Sequence, residues 1–427
     1  MPRRQSSRRR RRFFLHVGEL QDLLKVYCHT FLIFVTSIGL KMSRLPRGGR
    51  LIFDVVDLAC LAHMTQIALA ASIPRQRVNL HRSCQKHVTL LDFDDITFKL
   101  RFRFRREHVM DLMRELDLLD ASGHPKMLFV GDGEHSFGRY VRADAALLAT
   151  LRRLSYVVRL EDLVHELSMG YTLLSVASNW MIDYIYDNYS SRLNRIEAWE
   201  DLFPDFADAI RVKCNGLFNN IIGFTDGHFQ RIARPGGARN KVWKASQKLF
   251  YNRYYRTHGL KYIATVLANG IMLLHGAYAG KEHDSPCLKA TGLVATLRRM
   301  EQEGRGWWML FGDSAFMLSR HLQRMLKGLQ RRTAAGKLFN TAMASVRVSV
   351  ENAIGEVLGR WGAIGHKKMN RLGAMPLGRH VSVAVFLHNC EGILYGNLCT
   401  GMFGEALRES LTLSGYIARA SFRACEQ

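Results

Sequence analysis

The sequence has no paired cysteines. Its eight, at positions 28, 60, 84, 214, 287, 390, 399 and 425, are scattered, and no two form a CxxC pair. That spacing argues against a zinc site and a dense disulfide framework, and it fits a reducing, intracellular compartment. Also missing is an apolar run of the roughly 20 residues that a membrane span requires. The nearest is Val26 to Leu40, between Lys25 and Lys41, and it is interrupted by Cys28, His29, Thr30, Thr36 and Ser37. A buried helix is the expectation there, although the upstream Arg run gives it the outline of a signal region. The most informative absence is of acid. Residues 1–12 carry seven Arg and no Asp or Glu, residues 227–281 carry ten Lys or Arg and no acid, and residues 314–350 carry seven and none. The chain has 61 Lys+Arg against 37 Asp+Glu, net +24, and these three windows hold the entire excess. Basicity confined in this way is not a general solubility adjustment. It implies a polyanionic partner, usually nucleic acid.

What is present is otherwise ordinary. The 427 residues are 48% hydrophobic and 23% charged, which excludes a wholly disordered chain and gives length for two or three domains. Residues 1–12 (MPRRQSSRRRRR) read as a disordered basic arm, a nuclear import signal or nonspecific DNA arm. Residues 13–100 carry no motif and stay unassigned. Residues 101–200 read as helical. Arg105 to Leu119 is amphipathic, with Val109, Leu112, Met113, Leu116 and Leu119 at helical spacing. Further helices fit Ala143 to Leu154, Leu160 to Leu167, and about Thr172 to Tyr189 after the break Ser168-Met169-Gly170. The last two resemble a helix-turn-helix. Any small helical domain gives that pattern, however, and residues 171–190 hold no Lys or Arg. Helical packing is therefore the first expectation, and DNA reading the second.

The second half has a legible order. Leu217 to Phe224 reads as a strand ending at Thr225-Asp226-Gly227. Leu260 to Ala268 is another strand, Asn269-Gly270 a hairpin turn, and Ile271 to Tyr278 the returning strand. Ser285 reads as an N-cap with Pro286 at the first helical position, and the helix should run to Gly304. Trp307 to Phe311 is an apolar strand ending at Gly312-Asp313. A helix near 319–332, a loop or short strand, and a long helix from about Ala342 to Trp361 should follow. The long helix carries Ala342, Val346, Val350, Ile354, Val357, Leu358 and Trp361 on one face. The fold class expected is α/β: a ribonuclease-H-like domain with a mixed sheet over residues 201–400, preceded by the helical region and followed by a tail, 401–427.

That fold would gather Asp226, Asp313 and Glu351. Singly, each has a plain reading: a turn at Asp226-Gly227, a turn or cap at Asp313-Ser314, an ion pair of Glu351 with Arg347 one helical turn earlier. Together, three hard oxygen ligands in the most basic part of the chain suit Mg²⁺. Two such ions about 4 Å apart clamp an in-line attack on a phosphodiester. The stretch QKLFYNRYYRTHGLKY sets cations beside stacking surfaces, as nucleic-acid clefts do. Arg239, Lys241, Lys244, Lys248, Arg253, Arg256 and Lys261 are the candidate DNA contacts.

The segments GFTDGHFQRIARP, QKLFYNRYYRTHGLKYIATVLANGIMLLHGAYAGKEHDS, LFGDSAF and SVRVSVENAIGEVLGRW, with FLHNC and LYGN behind them, resemble the DDE domain of PIF/Harbinger-type transposases and Harbinger-derived nucleases over about residues 217–399. The resemblance implies a catalytic site in which Asp226, Asp313 and Glu351 hold two Mg²⁺ or Mn²⁺ ions. It implies cleavage at terminal inverted repeats, joining of 3′-hydroxyl ends to target DNA, action in the nucleus, a Myb-like DNA-binding partner protein, homo-oligomers on DNA, and no membrane. A nuclease that cuts without transposing, or a binding protein that has lost catalysis, are the other readings. The family's His-Asp-Ser motif stands as His283, Asp284 and Ser285. Asp284-Ser285 reads as a helix cap, and His283 as a group behind the ligands. His228 stands where many relatives have a small residue, and could be a further ligand, an acid, or an obstruction.

Overall fold

In the computed structural model, residues 88–131, 139–236, 247–372 and 375–421 are described. The basic arm and the Val26–Leu40 stretch lie outside them. Five helices open the described chain: α1 (Asp95–Phe102), α2 (Arg106–Glu115), then, after a two-stranded hairpin of β1 (Met127–Val130) and β2 (Arg139–Arg142), α3 (Ala143–Ser155), α4 (Leu160–Glu166) and α5 (Tyr171–Ile185). Asp94 caps α1 by accepting from the Thr97 amide at 2.9 Å. In α2 the apolar positions Val109, Leu112 and Met113 are buried, as helical spacing requires. α3 is buried around almost its whole circumference and packs against α5. α5 faces inward with Leu173, Leu174, Ala177, Met181, Ile182 and Ile185, so that face is given over to packing.

After α6 (Phe203–Lys213) comes the sheet. β3 (Ile221–Arg231) lies at its centre, with β4 (Tyr251–Asn252), β5 (Thr257–Leu267) and β6 (Met272–Ala279) following in sequence. β5 pairs antiparallel with β3 on one edge and with β4 and β6 on the other. The Asn269-Gly270 turn joins β5 to β6, with Gly270 at φ +82, a left-handed conformation that glycine adopts without strain. The outer edge of β6 is closed by side chains. The Asn389 amide accepts from the Met272 N–H at 2.9 Å and donates to its carbonyl at 3.0 Å, and Asn194 accepts from the Leu274 N–H at 2.9 Å. Backbone groups at a buried edge are thereby satisfied.

Next come α7 (Asp284–Thr291), α8 (Leu293–Gln302), β7 (Met309–Gly312) and β8 (Leu322–Arg324). β7 lies parallel to β3, and β8 parallel to β7. The chain closes with α9 (Ala334–Arg360), α10 (Leu377–Tyr395), α11 (Leu398–Phe403) and α12 (Leu413–Ala418). α9 packs on β3 and β5 through Met343, Val346, Val350, Ala353 and Val357. α10, buried along nearly its full length, packs on β6 and α5 and so joins the helical region to the sheet. Three long antiparallel strands with the two-residue β4 beside them, two further parallel strands, and helices packed on the sheet make a ribonuclease-H-like α/β fold. The described residues belong to one compact unit, Leu80–Gln427.

Four expectations need correction. β3 does not end at Asp226; pairing with β5 holds it extended to Arg231. The helix expected from Ser285 to Gly304 starts at Asp284 and breaks at Gly292, whose φ of +75 ends α7. The segment near 319–332 forms β8 and a short helix, Gly328–Arg332, because residues 313–321 are too few for a helical crossover between parallel strands. The long helix starts at Ala334, where the Thr333 hydroxyl accepts from the Gly336 amide at 2.9 Å. Ala342, Ile354 and Leu358 consequently lie half-buried at the margin of its packed face.

Candidate active site

The parallel pairing of β3 with β7 ends at Thr225 opposite Gly312. The next residues are Asp226 and Asp313, so the register sets the two aspartates side by side where the strands part. This is the carboxyl end of a parallel pair, where ligand sites gather in open α/β sheets. The strand behind Asp226 is held firmly. The Thr225 hydroxyl donates to the Ala264 carbonyl at 3.2 Å, and the Thr265 hydroxyl donates to Thr225 at 3.1 Å. Asp313 opens a tight turn, with the Phe316 amide donating to its carbonyl at 3.1 Å and the buried Phe316 ring anchoring the loop.

Glu351 arrives from α9, and Arg347, one turn earlier, joins it to the pair. The Arg347 guanidinium lies 2.5 Å from a Glu351 oxygen and 3.5 Å from an Asp226 oxygen. The i,i+4 ion pair read from the sequence exists, and the same cation also reaches across to β3. Burial pushes the Asp226 carboxyl up to about 6. The Gly227 amide and Arg347 oppose that rise, and the negative charges of Asp313 and Glu351 add to it. Three carboxylates therefore act on one another, with a guanidinium as their counter-charge.

The donor set suits a hard divalent ion. As the side chains stand, no three His, Cys, Asp or Glu groups among the described residues converge on one point. Arg347 spans the gap between Asp226 and Glu351. The residues fit a divalent ion by chemistry and by element placement, once Arg347 withdraws.

A cleft of about 670 Å³ opens beside Asp313. It is lined by Ser314, Lys327, Arg331, Lys337 and Arg347 among others, and Asp313 is its one acid. The sequence does not single out these lysines or Arg331, although the acid-free window 314–350 marks their neighbourhood. Of the candidate DNA contacts, Lys248, Arg253 and Arg256 are exposed, while Arg239, Lys241 and Lys244 lie outside the described residues. Lys261 is a correction. It is buried, and its ammonium lies 2.5 Å from Asp284. A charge count along the chain cannot reveal a partner 23 residues away.

The His-Asp-Ser motif is also reassigned. His283 is exposed and forms the N-cap of α7 without a side-chain cap bond. Asp284 takes Lys261 rather than capping, and lies directly against the backbone of Gly227. The Ser285 hydroxyl donates to the Ala315 carbonyl at 3.0 Å, tying α7 to the loop after Asp313. His228 lies on β3 two residues past Asp226. Its Nε2 is 3.2 Å from the Gln230 side-chain oxygen, and burial pushes its pKa down, favouring the neutral ring.

Residues 225–389 match the family model described as DDE superfamily endonuclease. The match supports the DDE endonuclease superfamily, and with it transposase- or nuclease-type chemistry. The matched DDE stretch starts one residue before Asp226, ends at Asn389, and contains Asp313 and Glu351. No curated protein and no solved structure matches the chain.

Proposed function

We propose that this chain cuts DNA phosphodiester bonds, with Asp226, Asp313 and Glu351 as the ligands of Mg²⁺ or Mn²⁺. The observation that carries this reading is the register that places Asp226 beside Asp313, with Glu351 linked to Asp226 through Arg347. When bound, such ions lower the pKa of an attacking water or 3′-hydroxyl and neutralise charge on the phosphate. The chain's own contribution is placement. β3 and β7 fix two carboxylates, α9 brings the third, and the cations of the adjoining cleft hold the DNA backbone. Asp226, its carboxyl raised to about 6 by burial, would have to be deprotonated to hold such an ion. Arg347 now pairs with both Asp226 and Glu351, and these carboxylates would hold an ion only if the guanidinium released them.

The finer reading is a PIF/Harbinger-type transposase. On it the protein acts in the nucleus, cuts at terminal inverted repeats, joins 3′-hydroxyl ends to target DNA, assembles as a homo-oligomer on paired ends, and works with a Myb-like partner protein. The motif order quoted above supports it. Mg²⁺- or Mn²⁺-dependent nicking of supercoiled plasmid, wild type beside Asp313→Ala, tests the nuclease. Nicking by wild type alone is expected, and equal nicking by both would sink the assignment of Asp313. Excision of a marked element in cells then separates a transposase from a nuclease that cuts without transposing.

A further inference from the structure

We infer that the hairpin tip Arg253-Tyr254-Tyr255-Arg256 is a stacking platform for an unpaired DNA base. The inference rests on the DNA-cutting reading above and names how the chain would hold part of its substrate.

The tip joins β4 to β5 and is built to a fixed shape. The Asn252 side-chain oxygen accepts from the amides of Tyr254 at 3.0 Å and Tyr255 at 3.1 Å, and its nitrogen donates to the Gly280 carbonyl at 2.8 Å. Arg256 takes φ +50 to close the turn. Asn252 is half-buried, and these bonds fix the backbone that carries the two tyrosines.

The rings form a ladder. Phe229 lies across Gly259, where a side chain would collide with its ring. Tyr255 stacks on Phe229 with centroids 4.5 Å apart and planes 11° from parallel. Tyr254 sits edge-on to Tyr255 at 4.9 Å and is 86% exposed. Aromatic side chains carry a large hydrophobic surface, and a tyrosine this open, edge-on beside the Phe229–Tyr255 stack, has room for a further ring.

The surroundings select a nucleic acid. Arg253, Arg256 and Lys248 are exposed around the tip, and residues 227–281 hold no acid. Phe229 lies three residues along β3 from Asp226, about 10 Å of backbone, and its ring leaves the opposite face of the sheet, the face that Gly227 and Asp284 share. The Tyr255 hydroxyl lies close enough to Asp284 and Asp226 for both charges to help raise its pKa, with burial the larger cause. An unpaired base is the occupant because bases inside a duplex already have both faces stacked. An exposed ring adds stacking energy only to a base that has left the helix or lies in a single strand.

The test uses the full-length protein and two fluorescent strands of about 15 nucleotides, oligo(dT) and a fully abasic strand with the same number of phosphates. Wild type should bind oligo(dT) roughly tenfold more tightly than the abasic strand. Tyr254→Ala should remove most of that preference while keeping the slope of affinity against salt, and Tyr254→Phe should retain it. Tyr254 is exposed, so these variants should fold, and circular dichroism confirms this. Equal preference in wild type and Tyr254→Ala overturns the platform. So does a preference lost equally in Tyr254→Phe, which would point to the hydroxyl. If wild type binds neither strand nor duplex DNA, the DNA-cutting reading itself fails, and the platform with it.

Discussion

The carboxylate of Asp284 rests against the backbone of Gly227, one residue past Asp226. Any side chain at 227 would meet it, and Lys261 holds it there by an ion pair at 2.5 Å. The first turn of α7 thus braces β3 beside one aspartate, while Ser285 braces the loop beside the other. Gly227→Ala should lower nicking by about tenfold or more with DNA affinity unchanged, since small misplacements of reacting groups cost large factors in rate. A double-mutant cycle with Asp284→Ala checks the cause. If the brace is real the two losses do not add, and simple additivity refutes it.

Arg347 pairs with two of the three carboxylates that would hold a divalent ion. Replacing it with Met removes one positive charge from among three carboxylates. Arg347→Met should therefore bind Mn²⁺ roughly tenfold more tightly in the absence of DNA, a change of about 1.4 kcal/mol. Isothermal titration calorimetry reads this directly. Weaker binding by the variant would mean that Arg347 assembles the ligands rather than competing for them.

Asp226 should also limit stability. Its folded pKa is about 6 against the usual 3.8, so the fold favours the protonated form. That contribution is fully present below pH 3.8 and is lost as pH rises through 6. Asp226→Asn should then stabilise the protein at pH 7.5, by about 3 kcal/mol at most, and change little at pH 4. Thermal melts at the two pH values decide it. An Asn variant less stable at pH 7.5 would contradict the burial argument.

His388 gives the opposite slope. It is fully buried in α10, neither ring nitrogen has a hydrogen-bond partner, and burial lowers its pKa to about 4. Below the unfolded value of about 6.5 the unfolded chain takes up a proton that the folded chain refuses, so stability falls as pH drops from 6.5 towards 4. His388's share of the loss between pH 7 and pH 5 should be about 2 kcal/mol, and His388→Phe should remove that share, leaving the shares of His275 and His380, whose pKa values burial also lowers to about 4. Urea titrations at both pH values measure the difference.

The cleft beside Asp313 predicts a salt signature. Lys327→Glu with Lys337→Glu should weaken duplex binding and reduce the slope of log affinity against log salt by about 0.9 for each phosphate no longer neutralised. The tyrosine variants described above should leave that slope alone. A charge-reversed cleft with an unchanged slope would place the DNA elsewhere.

Much of this arrangement is readable from local pattern. Apolar runs such as WWMLF and IATVL mark strands, Asn269-Gly270 marks the hairpin, and the spacing of Val346, Val350 and Val357 marks the packed face of α9. These signals are local, because side-chain alternation and helical periodicity are properties of neighbouring residues. Asp226-Gly227 reads wrongly as a strand end because the same pair makes turns in isolation. Only pairing with β5 holds it extended. Lys261 reads wrongly as a DNA contact because a run of cations along the chain carries no information on burial.

The sequence alone determined where the charge lies, the order of β3, β5, β6 and β7, and which three acids could meet. Those follow from composition and short-range periodicity. Tertiary structure decided that Arg347 reaches both Glu351 and Asp226, that Asp284 supports Gly227, and that Tyr254 stands open beside the Phe229–Tyr255 stack. Each of these joins residues from different elements, and sheet register and helix packing, which act between distant parts of the chain, bring them within reach.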